Sequence, residues 1–380
     1  MLLIVGGLVV LVVGGELLVR GASGLARAMG MSSLVVGLTV VAFATSAPEL
    51  AVTVDATLSG TPGLAVGNVV GSNIANVLLV LGAAALLLPL AVRSQLVRAD
   101  IPVMVGLSVL TLIMALDGGL SRLEGVVLVL LLVAYLVVAV AVARRRPRAA
   151  APAVPSAIAP AGTSARDQGT AGPPEPEPAE AGRRPLAADL GLVVVGVALL
   201  VVGARWLVRG ATEVATAFGV SDLVIGLTVV AVGTSLPEVA TSVVAAIRGE
   251  RDMAVGNVVG SCIFNLGAVL GLAAAIASGG VPVADAAVAF DLPFMVAVSL
   301  ALVPVAFTGF TVSRWEGGVL VAYYLAYVVY VLLDSTEHDA LEPYSRVMAG
   351  FVVPITVFWL GLLVAYEVGV RRGRRERVLP

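Results

Sequence analysis

Apolar residues run through this chain in blocks of about twenty, the length that crosses a bilayer as a helix. In the first half the blocks fall near 2–26, 33–58, 64–90, 100–117 and 122–143. In the second half they fall near 187–209, 220–246, 253–278, 289–307 and 315–333, and a last one near 347–369. None alternates with the period of two that a membrane β-barrel needs. The pattern predicts an all-α polytopic membrane protein with two five-helix repeats, ten spans in all, and an eleventh C-terminal helix. The first block, Met1 to Val19, has no basic residue ahead of it and no small-residue cleavage site, so it reads as a retained helix and not a secretory signal.

Short stretches recur at a fixed offset. Gly37 to Ala42 (GLTVVA) returns as Gly226 to Ala231, Thr45-Ser-Ala-Pro-Glu49 as Thr234-Ser-Leu-Pro-Glu238, and Gly67 to Ser72 (GNVVGS) as Gly256 to Ser261. All three are displaced by 189 residues. Weaker echoes join Leu17–Gly21 to Trp206–Gly210 and Arg122–Gly125 to Arg314–Gly317. Five spans per unit is an odd number, so the two units enter the membrane from opposite sides, the inverted-repeat plan of many secondary transporters. The expected divisions are 1–143 for the first repeat, 144–185 for a linker, 186–333 for the second repeat, and 334–380 for a loop, an extra span and a basic tail. The linker is rich in Ala, Pro, Gly, Arg and Glu without an apolar period, a composition too poor in burial to offset ordering entropy.

Composition agrees: 59% of the 380 residues are hydrophobic and 13% charged, against about 45–50% and about 25% in soluble domains. Arginine placement sets the orientation. With the N-terminus outside, Arg20, Arg27, Arg93, Arg98, the Arg144–Arg148 run, Arg183, Arg184, Arg248, Arg251, Arg314 and the tail from Arg371 all fall on the cytoplasmic side. Arg122, Arg205 and Arg209 are the exceptions. One cysteine, Cys262, excludes a disulfide framework and a multi-cysteine metal site.

Against this apolar background, Glu49 and Glu238 stand out. A glutamate at mid-span costs about 2.5–3.5 kcal/mol even on the insertion scale, and such acids mark ion pathways. Thr45 and Ser46 lie four and three residues before Glu49, on its helix face, and Thr234 and Ser235 repeat the arrangement before Glu238. Pro48 and Pro237 cannot donate to the carbonyls of Ala44 and Gly233, so each helix breaks beside these side chains. One span later, Asn68, Ser72 and Asn76 form an i, i+4, i+8 stripe, repeated by Asn257, Ser261 and Asn265. Gly67, Gly71, Gly256 and Gly260 let backbones approach closely. Carboxylate, hydroxyl and carbonyl oxygens suit hard cations, and two carboxylates balance one divalent or two monovalent ions.

These four segments, Gly37–Glu49, Gly67–Asn76, Gly226–Glu238 and Gly256–Asn265, resemble the two α-repeats of the cation/calcium exchanger superfamily. The resemblance covers most of the chain outside the linker and last helix. It implies a Ca²⁺/Na⁺ antiporter working by alternating access, the first helix of each repeat sliding past the other four. Position by position it implies Ca²⁺ ligation by Glu49, Glu238, Thr45 and Thr234. Na⁺ sites would use Ser46, Ser235, Ser72, Ser261, Asn76, Asn265 and carbonyls near Ala42 and Ala231. The GNVVGS form looks like the sodium-coupled branch, and Asn265 stands where potassium-dependent members carry aspartate. A proton-coupled Ca²⁺ antiporter of the same fold is the alternative. Protons compete with cations for two carboxylates in one dry site on either reading.

A channel and an intramembrane enzyme fit less well: inverted broken helices point to alternating access, and the lone histidine, His338, lies in a polar acidic loop. No cofactor and no nucleic-acid partner are expected, only the transported ions and the lipid of the cell (plasma or inner) membrane, with linker and C-terminus cytoplasmic. Asp55 reads as a solvated mouth residue, Asp100 and Asp291 as helix N-caps, and Cys262 as a small buried apolar residue.

Overall fold

A computed structural model describes residues 2–145, 185–218 and 231–376. Three expectations fall outside the described residues: nearly all of the 144–185 linker, the first part of the 220–246 span with Gly226–Val230, and the end of the tail.

The architecture is almost entirely helical. The first repeat comprises α1 (Leu2–Met29), the bent pair α2 (Ser33–Thr45) and α3 (Ala47–Leu58), α4 (Pro62–Leu87), α5 (Leu96–Ala115) and α6 (Arg122–Arg145). The second comprises α7 (Leu186–Ala217), α8 (Ala231–Thr234), α9 (Leu236–Ile247), α10 (Arg251–Ile276), α11 (Ala287–Phe307) and α12 (Arg314–Ser335), and α13 (Leu341–Gly369) follows. Nine of these are long and apolar enough to cross a membrane alone, and the α2–α3 pair makes a tenth span. α8 and α9 are the described parts of the expected 220–246 span.

Two short antiparallel ladders show the inversion. β1 (Leu90–Ala91) pairs with β4 (Thr311–Val312), and β2 (Gly119–Leu120) pairs with β3 (Val281–Pro282). β1 and β3 occupy equivalent places in the two repeats, as do β2 and β4. The two ladders are therefore one contact made twice, at opposite ends of the bundle. Equivalent residues also meet their own counterparts where the repeats cross. The Asn73 amide donates to the Cys262 carbonyl at 3.4 Å, and Ser108 and Ser299 share a hydrogen bond at 3.3 Å.

Small residues govern the packing. Gly82 of α4 lies against Gly317 of α12, and Gly125 of α6 against Gly271 of α10, each contact repeating the other across the two halves. Gly256 and Gly260 bring α10 onto Leu34, Leu38 and Ala42. The segment that symmetry sets against Gly67 and Gly71 lies among residues 219–230, outside those described.

The arginine-rich end holds three ion-pair contacts. Glu16, the one acid inside α1, pairs with Arg20 and Arg248, and Arg93 pairs with Asp252. At the other end Arg122 donates to the carbonyl of Ala275 at 3.2 Å. A cation there complements the negative end of α10, which accounts for one arginine on the sparsely basic side.

The N-cap reading of Asp100 and Asp291 is corrected. Helices α5 and α11 begin four residues earlier, at Leu96 and Ala287, and both aspartates close a π-turn with helical backbone angles. Tyr135 donates to Asp100 at 3.0 Å and Tyr327 donates to Asp291 at 3.2 Å. The wide turn swings each carboxylate toward a phenol on the next span, so these acids tie α5 to α6 and α11 to α12. The Ile-Pro and Leu-Pro steps that suggested helix starts lie inside continuous helices, directly after the π-turn, where the regular ladder of amide-to-carbonyl bonds is already shifted.

Candidate functional site

Each broken span turns at a serine. Ser46 has φ −81° and ψ 1°, Ser235 has φ −86° and ψ 1°, and a proline follows two residues later at the start of α3 or α9. The α2–α3 bend is 43°. The break turns the next residues inward: Glu49, Glu238 and Ser235 are wholly buried, with Thr45 and Ser46 nearly so.

The two glutamates lie within electrostatic reach of one another, and the Thr45 hydroxyl sits beside Glu238. Thr45 crosses to the other repeat, donating to Asn257 Oδ1 at 3.2 Å and sharing a hydrogen bond with Ser261 at 3.3 Å. Its counterpart Thr234 is half-buried and lines a cavity between α7 and α3. Asn68 donates to Thr53 at 2.9 Å and to the Glu49 carbonyl at 3.3 Å, while Asn257 donates to Ser242 at 3.1 Å. These two asparagines join the broken spans to α4 and α10.

Buried polar atoms are ordinarily satisfied, and each exception calls for an explanation. Among the described residues, ten buried side-chain nitrogen or oxygen atoms without a hydrogen-bond partner gather at this one locus. They are all four carboxylate oxygens of Glu49 and Glu238, the hydroxyls of Ser46, Ser235 and Thr241, both amide atoms of Asn76, and Oδ1 of Asn265. Ser72 is buried too, and the Ala42 carbonyl accepts from the Ser46 amide at 3.0 Å. Ala231 opens α8. Nine of the ten orphaned atoms are oxygens, the donor set that hard cations take. No group of three or more acidic, histidine or cysteine side chains able to hold a metal occurs among the described residues, so the fixed charge of the locus is that of two carboxylates.

Three features escaped the sequence. Asn76 and Asn265 each begin a π-turn, Asn76–Val80 and Asn265–Leu270, and such bulges widen a helix where side chains must be re-aimed. Asn73 receives the Asn265 amide on its Oδ1 at 3.2 Å. That bond leaves the Asn265 side-chain oxygen as the free acceptor, and residues 73 and 262, equivalent in the two repeats, touch each other. Thr241, three residues beyond Glu238, shares its helix face, and that spacing was the available signal. Replacing Thr241 by Val is expected to weaken cation affinity several-fold while Thr241→Ser retains it, measured by Ca²⁺-dependent thermal shift. Equal affinity in both variants would place the hydroxyl outside the site.

Comparison with known proteins decides the family. The model of the family described as sodium/calcium exchanger protein matches residues 1–141 and again 189–333. The chain belongs to the sodium/calcium exchanger family. It is 37% identical over 351 residues to the sodium/calcium exchanger MaX1 of Methanosarcina acetivorans, covering 86% of this chain and 97% of that protein. It is 38% identical over 333 residues to the putative antiporter CaxA of Alkalimonas amylolytica, covering 87% and 97%. Its fold matches solved structures of the sodium-calcium exchanger NCX_Mj, one with TM-score 0.68 at 30% identity over 86% of this chain and 96% of that one. Membership makes this exchanger a multi-pass membrane antiporter of cations, Ca²⁺ among them, and not an enzyme.

Proposed function

We propose that this exchanger moves Ca²⁺ against Na⁺ by alternating access, binding the ions between Glu49 and Glu238. The convergence of ten orphaned buried polar atoms on two carboxylates carries the reading. Ca²⁺ takes Glu49, Glu238, Thr45 and Thr234; Na⁺ takes Ser46, Ser235, Ser72, Ser261, Asn76, Asn265 and the carbonyls near Ala42 and Ala231. Two negative charges balance one Ca²⁺ or two Na⁺ equally, which lets one site exchange them. Asn265 adds an amide and not a third carboxylate, so K⁺ is not needed for balance.

The two halves differ in a way that supports alternation. Gly15 of α1 packs on the Ala240 carbonyl of α9, closing that side. The equivalent residues Ala204 and Ala51 do not close the other side but line the cavity that reaches Thr234 and Pro237. One access route is shut where its symmetry mate is open. With the arginine-rich end cytoplasmic, the open route faces outward, the N-terminus is outside, and the 144–185 linker is inside the cell.

The test is ⁴⁵Ca²⁺ uptake into liposomes holding the purified protein. An outward Na⁺ gradient should drive it, and K⁺ should change nothing. Acidic pH should slow it, because protons and cations contend for the same two carboxylates. Uptake driven by a pH gradient alone would move the protein to the proton-coupled reading. A flat rate from about pH 5 to 8 would count against a shared two-carboxylate site.

A further inference from the structure

Arg205 and Arg209 contradict the positive-inside pattern, and the structure places both on the wall of the cavity beside α7. That cavity measures about 1170 Å³, at or above the usual range of about 300–1,000 Å³ for ligand pockets. Its wall is largely apolar, with Val52, Val201, Val208 and Ala204 among the lining residues, and it ends at Pro48 and Pro237 beside the helix breaks. Its polar features on α7 include Arg205, Arg209 and Glu213, spaced i, i+4, i+8 and so aligned along one helix face. None of these three makes a hydrogen bond or ion pair among the described residues.

Position along the helix gives the column its meaning. At 1.5 Å per residue, Arg205 stands about 28 Å from the first residue of α7, roughly one hydrocarbon thickness. The three charges therefore run outward through the interface opposite the arginine-rich end, with the guanidinium groups deeper and the carboxylate outermost. Trp206, half in contact with the surroundings, shares this level, as interfacial tryptophans do.

We infer that this cavity binds a phospholipid with a primary-amine headgroup, its acyl chain in the apolar cleft, its phosphate on Arg205 and Arg209 and its ammonium on Glu213. The order of groups on the protein, apolar then cationic then anionic, is the complement of the order in that lipid: tail, phosphate, amine. Guanidinium forks match phosphate oxygens two at a time. A carboxylate one turn further out accepts hydrogen bonds from an ammonium, which a quaternary choline cannot donate. A glycerol headgroup on the same phosphate is uncharged and would leave the Glu213 carboxylate without a counter-charge. The same cavity is the outward route proposed above, so a lipid seated in it blocks ion entry while bound, whichever ions are exchanged.

Trp206 reports the occupant directly. The other two tryptophans, Trp315 and Trp359, stack edge-to-face on each other with ring centres 4.7 Å apart, and Trp315→Phe with Trp359→Phe leaves Trp206 as the single fluorophore. Bilayers would contain brominated-chain phosphatidylethanolamine, phosphatidylcholine or phosphatidylglycerol as the quencher in an unbrominated background. The expected result is several-fold tighter association of the ethanolamine lipid than of the choline lipid. Glu213→Gln should erase that preference, and Arg205→Gln with Arg209→Gln should lower quenching by all three lipids. Equal quenching by ethanolamine and choline lipids, or stronger quenching by the glycerol lipid, would overturn the assignment. The lipid comparison on the single-tryptophan protein needs no charge substitution, so it stands even if those variants fold poorly.

Discussion

Replacing Glu49 or Glu238 by glutamine should abolish Na⁺-driven Ca²⁺ uptake and, in ion-free buffer, raise the melting temperature. Both effects follow from one fact: two wholly buried carboxylates face each other with no hydrogen-bond donor on any of their four oxygens. Without a cation, each charge lacks the partner that offsets its desolvation, and glutamine removes one charge at nearly constant volume. With a cation, the same substitution leaves a divalent ion against a single negative charge. Breaking a buried charge pairing costs about 3–5 kcal/mol, or about 10²–10⁴ in affinity. Stabilisation by added Ca²⁺ should therefore disappear in both variants, since a ligand stabilises only the state it binds. Thermal shifts with and without Ca²⁺, alongside uptake, measure all three quantities. A variant that still transports would remove the glutamates from the site. A variant that melts lower without ions would show that they serve the fold instead.

How much of this was visible beforehand depends on whether a residue acts through its own helix or through a neighbour. The glutamates and the hydroxyls three and four residues before them are local features spaced to share one helix face, a proline stands just ahead of each glutamate, and the repeat at 189 residues displayed them twice. Asn76 and Asn265 were legible as members of a polar stripe. The π-turns they begin were not, because a single extra residue in a turn depends on what packs against it. The same omission produced the N-cap reading of Asp100 and Asp291. An acid just before an apolar run with an early proline looks like a cap until a phenol from the next span claims it. Glu16 pairs with Arg20 one turn away, a contact the sequence allowed, and with Arg248, which it did not show because that partner is distant in sequence. The contrast between Gly15 on Ala240 and the open Ala204 and Ala51 could not be read at all, since equivalent residues in a duplicated sequence make no statement about which conformation each half adopts.

Gly14→Leu should collapse both stability and transport, and the reason lies in the seam between α1 and α7. Glycines recur every seven residues on both helices, at Gly7, Gly14 and Gly21 and at Gly196, Gly203 and Gly210, and the two series meet antiparallel along the helix lengths. A Cβ on Gly14 would stand 2.8 Å from the Leu200 nitrogen and 2.9 Å from the Gly196 oxygen. Both obstacles are backbone atoms, which cannot rotate away as a side-chain tip can. The cost should therefore exceed the about 1–3 kcal/mol of ordinary overpacking, and the melting temperature should fall sharply with loss of uptake. Gly191→Ala is the matched control: it lies on α7, a Cβ there meets nothing within 4 Å, and alanine gains about 1 kcal/mol of helix propensity over glycine. That variant should melt at or above the parent temperature and transport normally. If Gly14→Leu behaved like Gly191→Ala, the seam would be loose, and α1 and α7 could not be the tightly joined pair that a sliding unit requires. If instead only Gly14→Leu fails, the seven-residue glycine spacing is what holds the first helices of the two repeats together.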